Sequence, residues 1–151
     1  MLLAGAVSPQ AAFAAAGPFD GLEGMWAGDG TLLYSNGMQE RLTCRVQYTT
    51  PSPSNLTQAL SCMSDSYNFQ INAAFSSANG TLSGRWSEIV ENLSGSLSGS
   101  VANGHIAGAL AGPGFTAQID VMTKGSTQTV DIKAPTQEIS AVSIQLQKSA
   151  H

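Results

Sequence analysis

The sequence predicts an all-β fold: an antiparallel up-and-down meander of about eight to ten strands closing into a small barrel. Two observations and one physical argument carry that expectation. Past residue 20 the chain breaks into short alternations of apolar and polar residues, recurring at a pitch of about ten residues. The alternations are punctuated by Asn36-Gly37, Asn79-Gly80 and Asn103-Gly104, with Lys124-Gly125 as a weaker fourth pair. Asn and Gly both tolerate the positive φ that a tight hairpin turn demands, so each pair reads as a reversal of one strand onto the next. Closure of such a meander removes the edge strands that an open sheet would expose to other chains.

In order, the expected strands cover 25–34, 38–48, 56–64, 67–76, 81–90, 93–102, 105–111, 115–123, 127–133 and 139–147. Side chains alternate between the faces of a strand. In the second strand Leu42, Cys44, Val46 and Tyr48 therefore share one face, and Arg41, Thr43, Arg45 and Gln47 the other. The third strand places Leu60 and Cys62 together, which lets the two cysteines face one another across neighbouring strands. Residues Thr49 to Asn55, with Pro51 and Pro53, read as a surface loop between these strands. Residues 80–110 repeat an apolar-x-Gly-x-apolar phrase: Leu82-Gly84-Trp86, then Leu93-Gly95-Leu97-Gly99-Val101, then Ile106-Gly108-Leu110. Glycine on the apolar face removes side-chain volume. The sheet either bends there with Trp86, Trp26 or another aromatic filling the space, or leaves a cavity for a small apolar ligand. The spacing of Leu93, Leu97 and Val101 on one parity marks the Ser/Gly-rich stretch as a strand rather than a linker.

Residues 1–16 differ from the rest. They carry no charge, are rich in Leu, Ala, Val and Phe, and end in Ala14-Ala15-Ala16. That is the apolar core and small-residue cleavage pattern of an export signal, without its basic leader. The expected organisation is an export segment over 1–16, cleaved or disordered, and a single barrel domain over 17–151, located in the periplasm or secreted. No other stretch is long and apolar enough to span a membrane as a helix. In an oxidising compartment Cys44 and Cys62 read as one disulfide. A metal pair, or a nucleophile with His105, lacks partners in a chain with two histidines. The net charge of -4, with no cluster among the six Lys and Arg residues, argues against nucleic acid as a partner.

Gly24-Met25-Trp26 at the start of the first strand resembles the Gly-x-Trp signature of calycins, the lipocalin and avidin-like small barrels. The resemblance implies an up-and-down barrel with Trp26 plugging one end and a basic side chain, Arg85 or Lys148, packed across it. The run from Leu22 to Gly30, followed by Gly37-x-x-Glu-Arg-x-x-Cys-Arg-x-x-Tyr48, is also similar to small exported bacterial proteins of unknown function. That similarity implies export and the Cys44–Cys62 bridge, and no activity.

Catalytic patterns are poor. Gly95-Ser96-Leu97-Ser98-Gly99 has Leu where a nucleophile elbow has Ser, no phosphate-binding loop or dinucleotide fingerprint occurs, and Gly108 to Gly114 lacks the spacing for one. Glu88 and Glu91 stand three apart, on opposite faces of a strand, which rules against acid/base partnership. The expected function is thus binding, without catalytic residues, cofactor or metal. The first reading is a carrier for a small apolar molecule, with Trp26, Tyr34, Tyr48, Trp86 and Phe115 as lining. Glu40 and Glu88 have interior parity, so one of them paired with Arg41, Arg45 or Arg85 would make a polar anchor at the mouth; otherwise both sit at the rim in water. The alternative is an envelope module with a fully packed core that contacts another protein.

Overall fold

The computed structural model describes residues 17–149, so the expected export segment lies outside the described residues. Ten strands run in chain order: β1 (Gly24–Tyr34), β2 (Gln39–Ser52), β3 (Asn55–Met63), β4 (Asn68–Ala78), β5 (Thr81–Glu88), β6 (Leu93–Ala102), β7 (His105–Gly112), β8 (Phe115–Lys124), β9 (Thr127–Lys133) and β10 (Ile139–Lys148). Each pairs antiparallel with its sequence neighbours, and β1 pairs with β10 to close the barrel. The meander is complete, so no described strand is left with an open edge.

The turn chemistry divides in two. Asn79-Gly80 and Asn103-Gly104 have positive φ at both positions, the type I′ geometry that joins β4 to β5 and β6 to β7 in two residues. Asn36-Gly37 departs from the expectation. Only Gly37 has positive φ there, and residues 35–38 form a wider loop in which the Met38 amide donates to the Asn36 side chain. At the fourth pair the turn slips by one residue, to Gly125-Ser126. The expected loop over Thr49–Asn55 is mostly strand. Strand β2 continues to Ser52 through a register irregularity between Thr49 and Ser52 that accommodates Pro51, leaving a two-residue turn at Pro53-Ser54.

The alternation in β2 holds along its length: Leu42, Cys44, Val46 and Tyr48 are buried while their neighbours are exposed. Glycines bend the wall. A Cβ on Gly28 would run into the Gln145 carbonyl of β10, and one on Gly95 into the Ala111 carbonyl of β7, so the backbones approach more closely than any side chain permits. The volume freed by Gly95 is also used by an aromatic, because a Cβ there would lie 2.7 Å from the indole of Trp86. Bending and aromatic filling therefore coexist.

The two ends of the barrel differ. The proximal end carries the start of β1 and the finish of β10, and residues 17–23 fold across it, burying Phe19 and Leu22. Trp26 is fully buried behind them, its indole N–H donating to the Leu22 carbonyl at 2.8 Å. Lys148 places its ammonium 5.8 Å from the Trp26 ring and donates to the Gly21 carbonyl. The base across the plug is thus Lys148 and not Arg85. At the distal end, Met38, Met63, Ile89, Val90 and Leu93 are the exposed large apolar side chains.

Candidate functional site

Side chains from β2 through β10 enclose a cavity of about 280 Å³ inside the barrel, just under the roughly 300 Å³ at which ligand pockets usually begin. Apart from Tyr48, Gln58 and Glu88, and the indole N–H of Trp86, its lining is entirely apolar. Its distal limit is formed by Glu88, Leu93 and Phe115, of which Leu93 is also partly exposed. Its floor, toward the sealed end, is formed by Tyr48, Gln58 and Leu146.

The structure distributes the expected lining unevenly. Tyr48, Trp86, Glu88 and Phe115 border the cavity, with Trp86 and Phe115 stacked at a tilt, 5.9 Å between ring centroids. Trp26 does not border it, because the ring faces the segment over the proximal end and meets Tyr48 edge-on at 6.4 Å. Tyr34 and Glu40 lie at the distal rim outside the cavity, bonded to each other at 2.7 Å. Arg85 lies on the outer face of β5, opposite in parity to Trp86, and lines a surface groove with Gln47 and Asn72. Sequence reasoning missed Gln58, Phe69 and Phe75. All three have interior parity in their strands, and that signal was available.

Neither interior-parity carboxylate pairs with an arginine, as the anchor required. Arg41 instead bridges Asp29 on the outer surface at 3.3 Å. Glu88 is 5% exposed and accepts from the Gln70 amide at 2.7 Å and the Glu91 amide at 2.6 Å. Burial pushes its pKa up, but the amides of Glu91, Gln70, Val90 and Ile89 together outweigh that and leave it below the ordinary carboxylate value. Glu88 thereby ties the turn at 89–92 to β4. Glu40 does the same for the turn at 64–67, accepting from the Ser66 amide at 2.6 Å and the Ser66 hydroxyl at 2.9 Å. The hydroxyls of Ser64 and Tyr34 and the amide of Ser66 hold its carboxyl down at about 2.

The Glu40 contacts give a pH signature. A carboxyl with a folded-state pKa of about 2 against an unfolded value of 4.5 adds stability that is fully present above pH 4.5 and is lost as pH falls through about 2. Glu40→Gln is expected to lack this acid-sensitive increment. Unfolding of both proteins measured across that window checks it, and parallel losses of stability would contradict it.

At the floor, the buried Tyr48 hydroxyl donates to Gln128 Oε1 at 2.8 Å, and Gln128 Nε2 donates to Thr123 Oγ1 at 2.9 Å. Gln128 is 1% exposed, and both its side-chain oxygen and its side-chain nitrogen have a hydrogen-bond partner. Burial pushes the Tyr48 pKa up to about 12, with Gln58 and Gln128 opposing the shift, so the phenol stays neutral. Cys44 and Cys62 are direct register partners on the inner face, Cα atoms 4.1 Å apart, joined as a disulfide. The bridge indicates an oxidising, non-cytoplasmic environment. Among the described residues, no helix is long and apolar enough to cross a membrane, and no group of three or more His, Cys, Asp or Glu side chains could hold a metal ion.

No protein-family model and no curated protein matches this sequence. Solved structures do resemble the fold. Rv2717c from M. tuberculosis aligns over 87% of this chain and 94% of its own, with a TM-score of 0.67 and 12% identity. The S-type phycobiliprotein lyase CPES from Guillardia theta aligns over 88% and 91%, with a TM-score of 0.60 and 8% identity. A redesigned β-barrel, mFAP1, bound to DFHBI, aligns over 89% and 100%, with a TM-score of 0.52 and 12% identity. At these identities the likeness is one of fold.

Proposed function

We propose that this protein is an exported, non-enzymatic barrel that holds one small, largely apolar molecule in its interior. The interior cavity is the observation that carries the reading: its apolar walls release ordered water when a matching surface enters, and binding needs no rearrangement of the sealed end. Barrel neighbours that hold a small molecule, such as the designed barrel bound to DFHBI, support it by fold analogy. Binding without turnover is supported by the lining, which among the described residues contains no Ser, Thr, Cys, His or Lys, while the Glu88 oxygens are engaged by backbone amides. Export to the periplasm or beyond is supported by the disulfide together with the apolar residues 1–16.

The exposed apolar side chains at the distal end favour that end as the route of access. They are also the specific observation that favours a second reading, an envelope module that docks a partner protein there.

The test is a titration with the uncharged fluorophore N-phenyl-1-naphthylamine. The parent protein should enhance its emission. Ala73→Phe, which projects a ring from β4 into the cavity, should abolish the enhancement while leaving the circular dichroism spectrum unchanged. Equal enhancement by parent and variant would place the probe on the exposed rim and remove the carrier reading.

A further inference from the structure

The polar groups at the cavity floor are not equivalent. The Tyr48 hydroxyl proton is committed to Gln128, and the Gln128 amide is committed to Thr123. Gln58 sits opposite Tyr48 in the β2–β3 register, on the inner face with Leu56 and Leu60, and borders the cavity. A carboxamide offers two N–H donors and a carbonyl acceptor. Even with one N–H turned toward the Tyr48 oxygen, the other N–H and the carbonyl have no side-chain partner among the described residues. At the other end of the cavity, the Glu88 oxygens are occupied by the amides of Gln70 and Glu91. Gln58 is therefore the one lining side chain with both a donor and an acceptor to give.

Resting on the cavity as a ligand site, we propose that Gln58 is its specificity-determining residue. It selects an uncharged, mainly apolar molecule bearing a single neutral donor–acceptor group, a hydroxyl or an amide, bound with that group at the floor and its apolar body toward the distal mouth. Anions are excluded because no Lys, Arg or His among the described residues lines the cavity and the Glu88 carboxylate stands at its distal limit. Gln58 is half-buried and also reaches the outer groove; a purely apolar molecule of the same shape offers its cavity-facing amide no partner, which is where the discrimination arises.

Calorimetric titration with 2-naphthol, naphthalene and 2-naphthoate at neutral pH reads the selection directly. One buried hydrogen bond corresponds to 2-naphthol binding about 2- to 13-fold more tightly than naphthalene, with 2-naphthoate binding weakest. Gln58→Leu, and Gln58→Met as a second apolar replacement of similar length, should erase the naphthol preference and leave naphthalene bound as well or better. Both variants should still unfold in one cooperative thermal melt, lowered at most modestly by loss of the Gln58 contact to the Tyr48 oxygen. Equal binding of naphthol and naphthalene by the parent, or a preference unchanged in both variants, overturns the role of Gln58 and leaves the cavity reading intact. Failure of all three probes to bind overturns the cavity reading and Gln58's role with it.

Discussion

Replacing Trp26 with alanine is expected to lower the unfolding free energy by about 3–5 kcal/mol, the cost of truncating a fully buried aromatic. Its indole joins several parts of the proximal end at once. It holds residues 17–23 through the Leu22 carbonyl, meets Tyr48 edge-on, and lies under the Lys148 ammonium. Truncation would leave a void and an unpaired carbonyl beneath Phe19 and Leu22. Besides a lower denaturation midpoint, the variant should be cleaved by protease within 17–23 under conditions that leave the parent intact. A loss below about 1 kcal/mol would show that the ring is not the plug of that end.

The second large effect concerns the bridge. With Cys44 and Cys62 at a sequence separation of 18, the chain-entropy relation gives about 3 kcal/mol of stabilisation, through restriction of the unfolded chain. The Cys44→Ala/Cys62→Ala double variant should lose that amount in urea denaturation. Native protein isolated from an oxidising compartment should show no free thiol when denatured without reductant. Two titratable thiols would refute the bridge, and a double variant as stable as the parent would refute its energetic role. Because Val46 and Leu60 adjoin the cysteines on the same two strands and border the cavity, a bridge of this strength also supports one wall of the cavity.

Much of the barrel was legible residue by residue. The inward set in β2, the reversals at Asn79-Gly80 and Asn103-Gly104, and the facing positions of the two cysteines all follow from period-two alternation and local turn chemistry. Part of the site was legible in the same way, since Tyr48, Trp86, Glu88 and Phe115 do border the cavity. Gln58 and Gln128 carried a readable signal as well: each is a polar residue at interior parity in an otherwise apolar strand face. Other assignments were out of reach. Trp26 and Tyr34 share the parity of true lining residues, yet one is turned to the sealed end and the other to the rim. Parity gives the face of a strand but not the height of a side chain along the barrel axis.

The sequence by itself therefore determined the all-β class, the order and direction of the strands and the inner face of most of them, because each depends on residues a few positions apart. Tertiary structure alone decided that Lys148 and not Arg85 covers Trp26, that backbone amides and not arginines satisfy Glu88, and that Gln58 faces open space while Gln128 does not. Those outcomes depend on the stagger between strands as the sheet closes, which sets who meets across the interior at each level. Stagger is a property of the whole ring of ten strands, and no single segment encodes it.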